Sequence, residues 1–274
     1  MERELDAIKP RDLRPPRHRS GRSIRPWLPV LALVFALLAW EAVARWSGLP
    51  PFILPAPSAV ASRFARAVAD GSLPRHTLIT LAEVLSGLSL GLLVATVLGY
   101  GLAKSAALER ALEPYIVASQ SVPIVAIAPL LVIWFGPGRL SKVLISALIV
   151  FFPILVNTVV GVRSVPRELY DLMRTLRASR RQVFLKLEVP AAMPVLLGGL
   201  KIGATLSVIG AVVGEFVGAD QGLGFLINVG GGLFDTALVF VAVITLIGMA
   251  LSLYAAVAML ERRLLAWRIP EEAR

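Results

Sequence analysis

The sequence predicts an all-α integral membrane protein with six transmembrane helices. Three observations carry that expectation. Of 274 residues, 57% are hydrophobic and 17% charged, and the mean hydropathy is +0.76, a balance that a soluble globular chain of this length does not show. Six apolar stretches reach the roughly 20 residues that a helix needs to cross a bilayer core. Lys and Arg gather between those stretches with a strong bias toward alternate connections.

Residues 1–26 hold eight Lys or Arg and no apolar periodicity, and read as a disordered basic cytoplasmic tail held near anionic lipid. The first span is expected at 27–46. Residues 47–77, rich in Pro and polar groups, read as an external loop with a short surface helix after Ser58. The second span covers 78–103, and its Gly87 and Gly91 form a GxxxG face for close helix contact. An inside turn at 104–114 leads to a third span at 115–135, which Pro123 and Pro129 interrupt. The tight outer turn 136–139 precedes a fourth span at 140–160. The fifth and sixth spans are expected at 195–217 and 237–260. Between them, 218–236 contains no Lys or Arg and reads as a short external or re-entrant element. Residues 268–274 form a second cytoplasmic tail.

With both termini inside, this topology places 21 of the 28 Lys and Arg in cytoplasmic segments and six outside, with Lys201 inside the fifth span. The positive-inside rule therefore accounts for the net charge of +10 without a nucleic-acid partner. The chain has no cysteine, which excludes disulfides and thiolate metal sites. Its two histidines, His18 and His76, cannot form a His-based metal cluster. No nucleophile, base and orienter combination is present, so the sequence gives catalysis no foothold.

One hydrophilic segment, 163–194, stands apart from the lipid-directed spans. Leu169, Leu172, Met173 and Leu176 follow helical spacing and predict a short helix with one apolar face. Glu168 and Asp171 near its start and Arg174 and Arg177 near its end suit the helix dipole. Ser179 and Gln182 have the spacing of a capping box, so a second helix is expected from about Arg180, with Val183, Phe184 and Leu187 as its apolar side. Pro190 and Pro194 are expected to end or kink it. A solvated loop is the plain reading. A bent helix pair with an apolar face and an arginine face is also the shape of a ligand for a groove on another protein.

Within the spans, small residues recur along the fifth at Gly199, Gly203, Ser207, Gly210, Gly214 and Gly218, giving close helix packing or a sliding interface. Glu215 reads as a hydrogen-bonded anchor or gate, or as a substrate contact. Gln120, Ser121 and Asn157 are candidates to line a path or to join helices. Glu83 and Lys201 are expected to be interfacial, with their charges reaching toward water.

The pieces ILPAPSAV at 53–60, VPIVAIAPLLVIWFGPG at 122–138, FFPILVNTVVGV at 151–162, RTLRASRRQVFLKLEVPAAMP at 174–194 and GEFVGADQGLGFLI at 214–227 together carry a resemblance. The chain resembles the permease subunits of type I ATP-binding-cassette (ABC) importers, in the branch serving nitrate, sulfonates, taurine and thiamine precursors. The likeness extends from about Trp27 to Trp267, which would make 27–267 a transmembrane permease domain of the type I importer fold. It implies residence in a bacterial inner membrane, and the last matching piece looks most like permeases for thiamine pyrimidine precursors, riboflavin and similar heterocycles.

The segment 168–190 looks like that family's EAA loop, which docks into the cytoplasmic ATPase. The resemblance thereby assigns coupling roles to Glu168, Leu169, Asp171, Leu172, Met173, Leu176, Arg177, Ala178, Ser179, Arg181, Phe184 and Pro190. Asp171 stands where the family usually has Glu, Leu172 and Met173 replace two alanines, and Arg177 replaces the glycine of the bend. If that bend requires a left-handed residue, arginine there costs about 1–2 kcal/mol. The family also implies a permease homodimer in membrane lipid, two ATPase subunits inside and a solute-binding protein outside. No cofactor is expected on this chain, since it lacks a GxxxxGK[ST] loop, and ATP and Mg would sit in the ATPase. A secondary transporter or channel acting without an ATPase is the alternative, whose marks are midplane ionisable pairs or repeated broken helices. The sequence displays neither. A membrane anchor for a cytoplasmic protein would explain the basic loop but not the proline-broken third and fourth spans.

Overall fold

A computed structural model describes residues 27–267. The basic tails expected at 1–26 and 268–274 lie outside the described residues. Among these the chain is helical, with no strand.

Helix α1 covers Leu28–Trp46 and α2 covers Pro57–Ala69. Gly71, in a left-handed conformation (φ 77°), turns the chain directly into α3, Ser72–Lys104. The second span therefore begins six residues before its expected start and has 33 residues. Only Ser105 separates α3 from α4, Ala106–Gln120, and its hydroxyl caps the new helix by accepting from the Leu108 N–H at 3.2 Å. The inside turn expected at 104–114 is thus mostly helix.

The third span, expected as one crossing, is not continuous. Helices α4 and α5, Ile124–Phe135, meet at a 95° bend. Pro123 supplies the reason: it stands in an extended conformation (φ −67°, ψ 112°) and has no N–H to continue the helix. Pro114 and Pro129 remain inside α4 and α5.

Helix α6, Arg139–Arg163, lies between α3 and α9 at the centre of the molecule. Its position follows from small residues on both neighbours. A Cβ on Gly87 of α3 would fall 2.4 Å from the Ser146 side chain, and one on Gly210 of α9 would fall 2.5 Å from the Ser146 Cα. The Ser146 hydroxyl then donates to the Ser207 carbonyl of α9 at 3.0 Å. The GxxxG face and the fifth-span stripe are both helix contacts here, and both close on α6 around Ser146.

The hydrophilic segment forms α7, Arg167–Thr175, and α8, Arg180–Val183, followed by one π-helical turn over Phe184–Glu188 and then α9, Val189–Phe216. The expected stop at Pro190 and Pro194 does not occur. The turn from α8 runs on into the fifth span, making one 37-residue stretch from Arg180 to Phe216. The π turn explains the tolerance of Pro190. The Val189 N–H reaches back five residues to the Phe184 carbonyl, so the ladder is already widened where a proline without an N–H enters.

Helix α10, Leu223–Gly232, is the short apolar element expected between the last spans, and α11, Thr236–Leu264, packs on α9 and α10. Among the described residues, four stretches are long and apolar enough to cross a membrane: α3, α6, α8–α9 and α11. The bent α4–α5 pair makes a fifth crossing if it counts as one. Large apolar side chains such as Phe35, Val97, Ile133 and Leu251 remain exposed on the helices, as lipid-facing surfaces require.

Candidate functional site

The segment 167–190 is built as two capped helices meeting at a tight reversal. At the end of α7 the Arg177 N–H donates to the Arg174 carbonyl and the Ala178 N–H to the Met173 carbonyl, both at 2.9 Å. This pair of bonds is the Schellman closure, which needs a left-handed residue between helix and exit. Arg177 provides it at φ 50°. The bend therefore keeps the geometry that suits glycine, and the arginine carries the backbone cost. On the far side, the Ser179 hydroxyl accepts from the Gln182 N–H at 3.3 Å while the Gln182 side chain accepts from the Ser179 N–H at 2.7 Å. The capping box read from the sequence is present in both halves.

This pair presents an outward surface. Glu168, Leu169, Asp171, Leu172, Leu176, Arg177, Ser179, Arg181 and Phe184 are exposed, whereas Met173, Ala178 and Pro190 are half-buried. Leu172 and Leu176 are 53% and 67% exposed. An apolar stripe left open beside five arginines, on a segment whose backbone is closed at both ends, is the form of a surface awaiting a protein groove. Asp171 and Arg174 pair at 3.4 Å in the open, which adds little stability.

The opposite side of the pair is fastened by a carboxylate that sequence reading missed. Glu188, on the π turn, is 2% exposed. It accepts from the Tyr100 hydroxyl at 2.8 Å, from the Tyr170 hydroxyl at 3.1 Å and from the Lys104 ammonium. Lys104 also lies over the Tyr170 ring, 5.2 Å from its centroid, and Phe184 meets Tyr100 edge-on at 5.2 Å. One carboxylate thus joins α7, the α8–α9 rod and the end of α3. Burial and the nearby Glu188 charge raise the Tyr170 phenol above its ordinary range, so it stays protonated and available as a donor. No local pattern in the sequence announces this junction, since even Tyr170, within the same hydrophilic segment, stands 18 positions from Glu188.

The candidate path residues do not gather at one place. Gln120 and Ser121 are exposed at the α4–α5 break, where the Ser121 hydroxyl donates weakly to the Val117 carbonyl at 3.4 Å. Asn157 is half-buried on α6, donates to the Pro153 carbonyl at 2.8 Å and packs against Gly199. Glu215 is fully buried. It accepts from the Thr80 hydroxyl at 2.6 Å and from the Gly224 N–H at the start of α10, where a negative group suits the helix dipole. Thr80 in turn accepts from the Leu223 N–H at 2.8 Å. A side chain at Gly222 would collide with the Glu215 carboxyl. Glu215 therefore occupies an anchoring position that holds α10 on α3 and α9.

Two expectations about charge are corrected here. Glu83 is not interfacial: it is fully buried beside Glu215 and pairs with Lys142 of α6 at 3.2 Å. The close α3–α6 packing leaves neither side chain a route to water, and it creates a buried ionisable pair that the sequence did not display. Lys201 does not reach water freely but pairs with Glu261 of α11, both partners being less than 26% exposed.

Residues 87–266 match the family model described as "Binding-protein-dependent transport system inner membrane component". The chain belongs to that family. It is 51% identical over 240 residues to the riboflavin transport system permease protein of Chloroflexus aurantiacus, covering 88% of this chain and 89% of that one. It is 37% identical to the formylaminopyrimidine transport permease protein of Halalkalibacterium halodurans, over 90% of this chain and 98% of that one. It is also 32% identical to the taurine transport system permease protein of Escherichia coli, over 88% and 89% of the two chains. Among solved structures, a chain of the inward-facing MetNI methionine ABC transporter aligns with a TM-score of 0.63 at 19% identity, covering 72% of this chain and 97% of that one. That likeness supports the fold alone. The protein is an ABC transporter permease, a non-catalytic inner-membrane component.

Proposed function

We propose that this permease forms, with a second copy of itself, the membrane path of an importer for a flat nitrogen heterocycle of the riboflavin or pyrimidine-precursor type. The single observation that carries the coupling half of this reading is the exposed helix pair α7–α8, closed on both sides of its bend and continuous with a membrane span. It is shaped to receive motion from a cytoplasmic ATPase and pass it into the lipid-embedded part. The 51% identity to a riboflavin permease, against 32% to a taurine permease, supports the substrate class.

In this reading the chain crosses the membrane six times, through α1, α3, the bent α4–α5 pair, α6, α9 and α11, with both termini in the cytoplasm. ATP and Mg bind the partner ATPase, whose closure moves α7 and α8 and tilts the attached spans. Access to the path then alternates between a solute-binding protein outside and the cytoplasm inside. Gln120, Ser121 and Asn157 remain the candidates for the path itself. The test is reconstitution of the chain with its ATPase and binding protein in liposomes, followed by uptake of riboflavin, a pyrimidine precursor and taurine. ATP-dependent uptake of a heterocycle supports the reading, and uptake without ATP or of taurine alone overturns it. Charge reversal at Asp171 or Arg181 is expected to weaken ATPase copurification while leaving membrane insertion intact.

A further inference from the structure

Two cavities of opposite chemistry meet at Glu188. The first, of about 570 Å³, is lined by Lys104 at the end of α3, Arg174 of α7 and Arg180 of α8, together with Tyr100, Tyr170 and Glu188. The second, of about 260 Å³, shares Tyr100 and Glu188 and continues between α3 and α9. Along α3 the lining runs from Lys104 to Thr96, and along the rod from Glu188 to Leu196, so each wall reaches about 12 Å away from the charged end.

The second cavity is apolar. Thr158 and Val162 of α6, both buried, form another of its walls. The Thr158 hydroxyl donates to the Ile154 carbonyl at 2.7 Å and the Tyr100 hydroxyl to Glu188 at 2.8 Å, so these polar atoms are already engaged. Val97 and Phe184, which also line it, are 63% and 38% exposed, so the cavity opens on the outer surface of the helices. The charges of the first cavity are not used up within the chain. Lys104 gives Glu188 one of its three N–H donors and stays 41% exposed. Arg174 has only the open contact with Asp171 at 3.4 Å. Arg180 forms no ion pair among the described residues. Three cations against one carboxylate leave this cavity positive.

We propose that the joined cavities hold one anionic phospholipid of the cytoplasmic leaflet, its phosphate held by Lys104, Arg174 and Arg180 and part of one acyl chain laid between α3 and α9. A basic pocket where membrane helices reach the cytoplasmic surface suits an anionic headgroup. The apolar cavity decides for a lipid, because a free phosphate or an acidic peptide leaves it empty. So placed, the lipid ties Lys104 of α3 to Arg174 of α7 and Arg180 of α8, the same elements that Glu188 joins. This inference rests on the importer reading in setting α7 and α8 at the cytoplasmic face, and goes beyond it by giving that joint a ligand.

The experiment equilibrates the full chain in a non-ionic detergent with equal amounts of dioleoyl phosphatidylglycerol and dioleoyl phosphatidylcholine and counts bound lipid by native mass spectrometry. One phosphatidylglycerol retained per chain in preference to phosphatidylcholine is expected. Arg174→Gln combined with Arg180→Gln, both at exposed positions, should lower that preference about tenfold, the order set by two basic residues near an anionic surface. Arg262→Gln combined with Arg263→Gln removes two exposed charges at the end of α11 and should leave the preference unchanged. Glycerol phosphate, a headgroup without chains, should not displace the lipid at equal concentration. Equal retention of the two lipids, an equal loss in both double variants, or displacement by glycerol phosphate would each overturn the site. The importer reading stands or falls separately: solute uptake without ATP would overturn it while leaving selective lipid retention in place.

Discussion

The two ends of this permease each bury a glutamate, and they treat it oppositely. At the α7–α8 end, Glu188 receives two phenolic hydroxyls and an ammonium, and its lysine partner is still 41% exposed. At the other end, Glu83 has Lys142 alone, and both side chains are sealed. The first arrangement is a satisfied clamp whose members can return to water when separated. The second is a pair whose members have nowhere to go. A clamp of the first kind suits a joint between moving helices, while the second kind of pair suits a rigid contact between α3 and α6.

The comparison can be broken most forcefully at Lys142. Lys142→Met should destabilise the folded chain by about 3–5 kcal/mol, because it leaves Glu83 buried and unpaired. Adding Glu83→Gln should recover most of that loss, as read by thermal unfolding in detergent. No recovery would show that Lys142 acts through packing rather than charge. Glu188→Gln should cost less, about 1–3 kcal/mol, since Lys104 can hydrate. Its expected signature is local: faster hydrogen exchange across α7 with the α3–α6–α9 core unchanged. Uniform acceleration everywhere would mean that the clamp supports the whole fold.

Smaller effects separate the two ends at their turns. Ser179→Ala removes half of the capping box and should cost about 1 kcal/mol, seen as faster exchange of the α8 amides. Phe234 closes α10 as Arg177 closes α7, with φ 55° and the Asp235 N–H donating to the Gly230 carbonyl at 2.8 Å. Glycine at either position relieves left-handed strain but frees the unfolded chain, so each substitution should stabilise by only about 0.5–1 kcal/mol. If Phe234→Gly raises the melting temperature and Arg177→Gly weakens ATPase binding, the arginine is retained for its partner and not for the fold.

The features legible in the sequence were those encoded within a few residues. The capping box and the amphipathic α7 depend on neighbours no more than one turn away, whereas the strain at Arg177 was expected only through the family resemblance. The glycine faces of α3 and α9 were legible as interfaces, though not as contacts with the same helix, α6, around Ser146. The Glu188 clamp was hidden because Tyr100 and Lys104 lie 88 and 84 positions away, and only the packing of α3 against the rod brings them together. Glu83 was read as interfacial for the same reason, since its partner Lys142 stands on a different helix, α6. Pro123 marked a disturbance in the third span, but nothing local set its angle at 95°. Pro190 was read as an end or a kink because the π turn that admits it is a property of the ladder and not of composition.

That π turn has a mechanical consequence. Because it keeps residues 180–216 in one unbroken stretch of 37 residues, the stretch acts as a lever about 55 Å long. A swing of about 5° at its docked end carries the other end through about 5 Å, roughly one helical pitch. A displacement too small to disturb the docked surface is thus magnified into a step as large as the repeat of a helix.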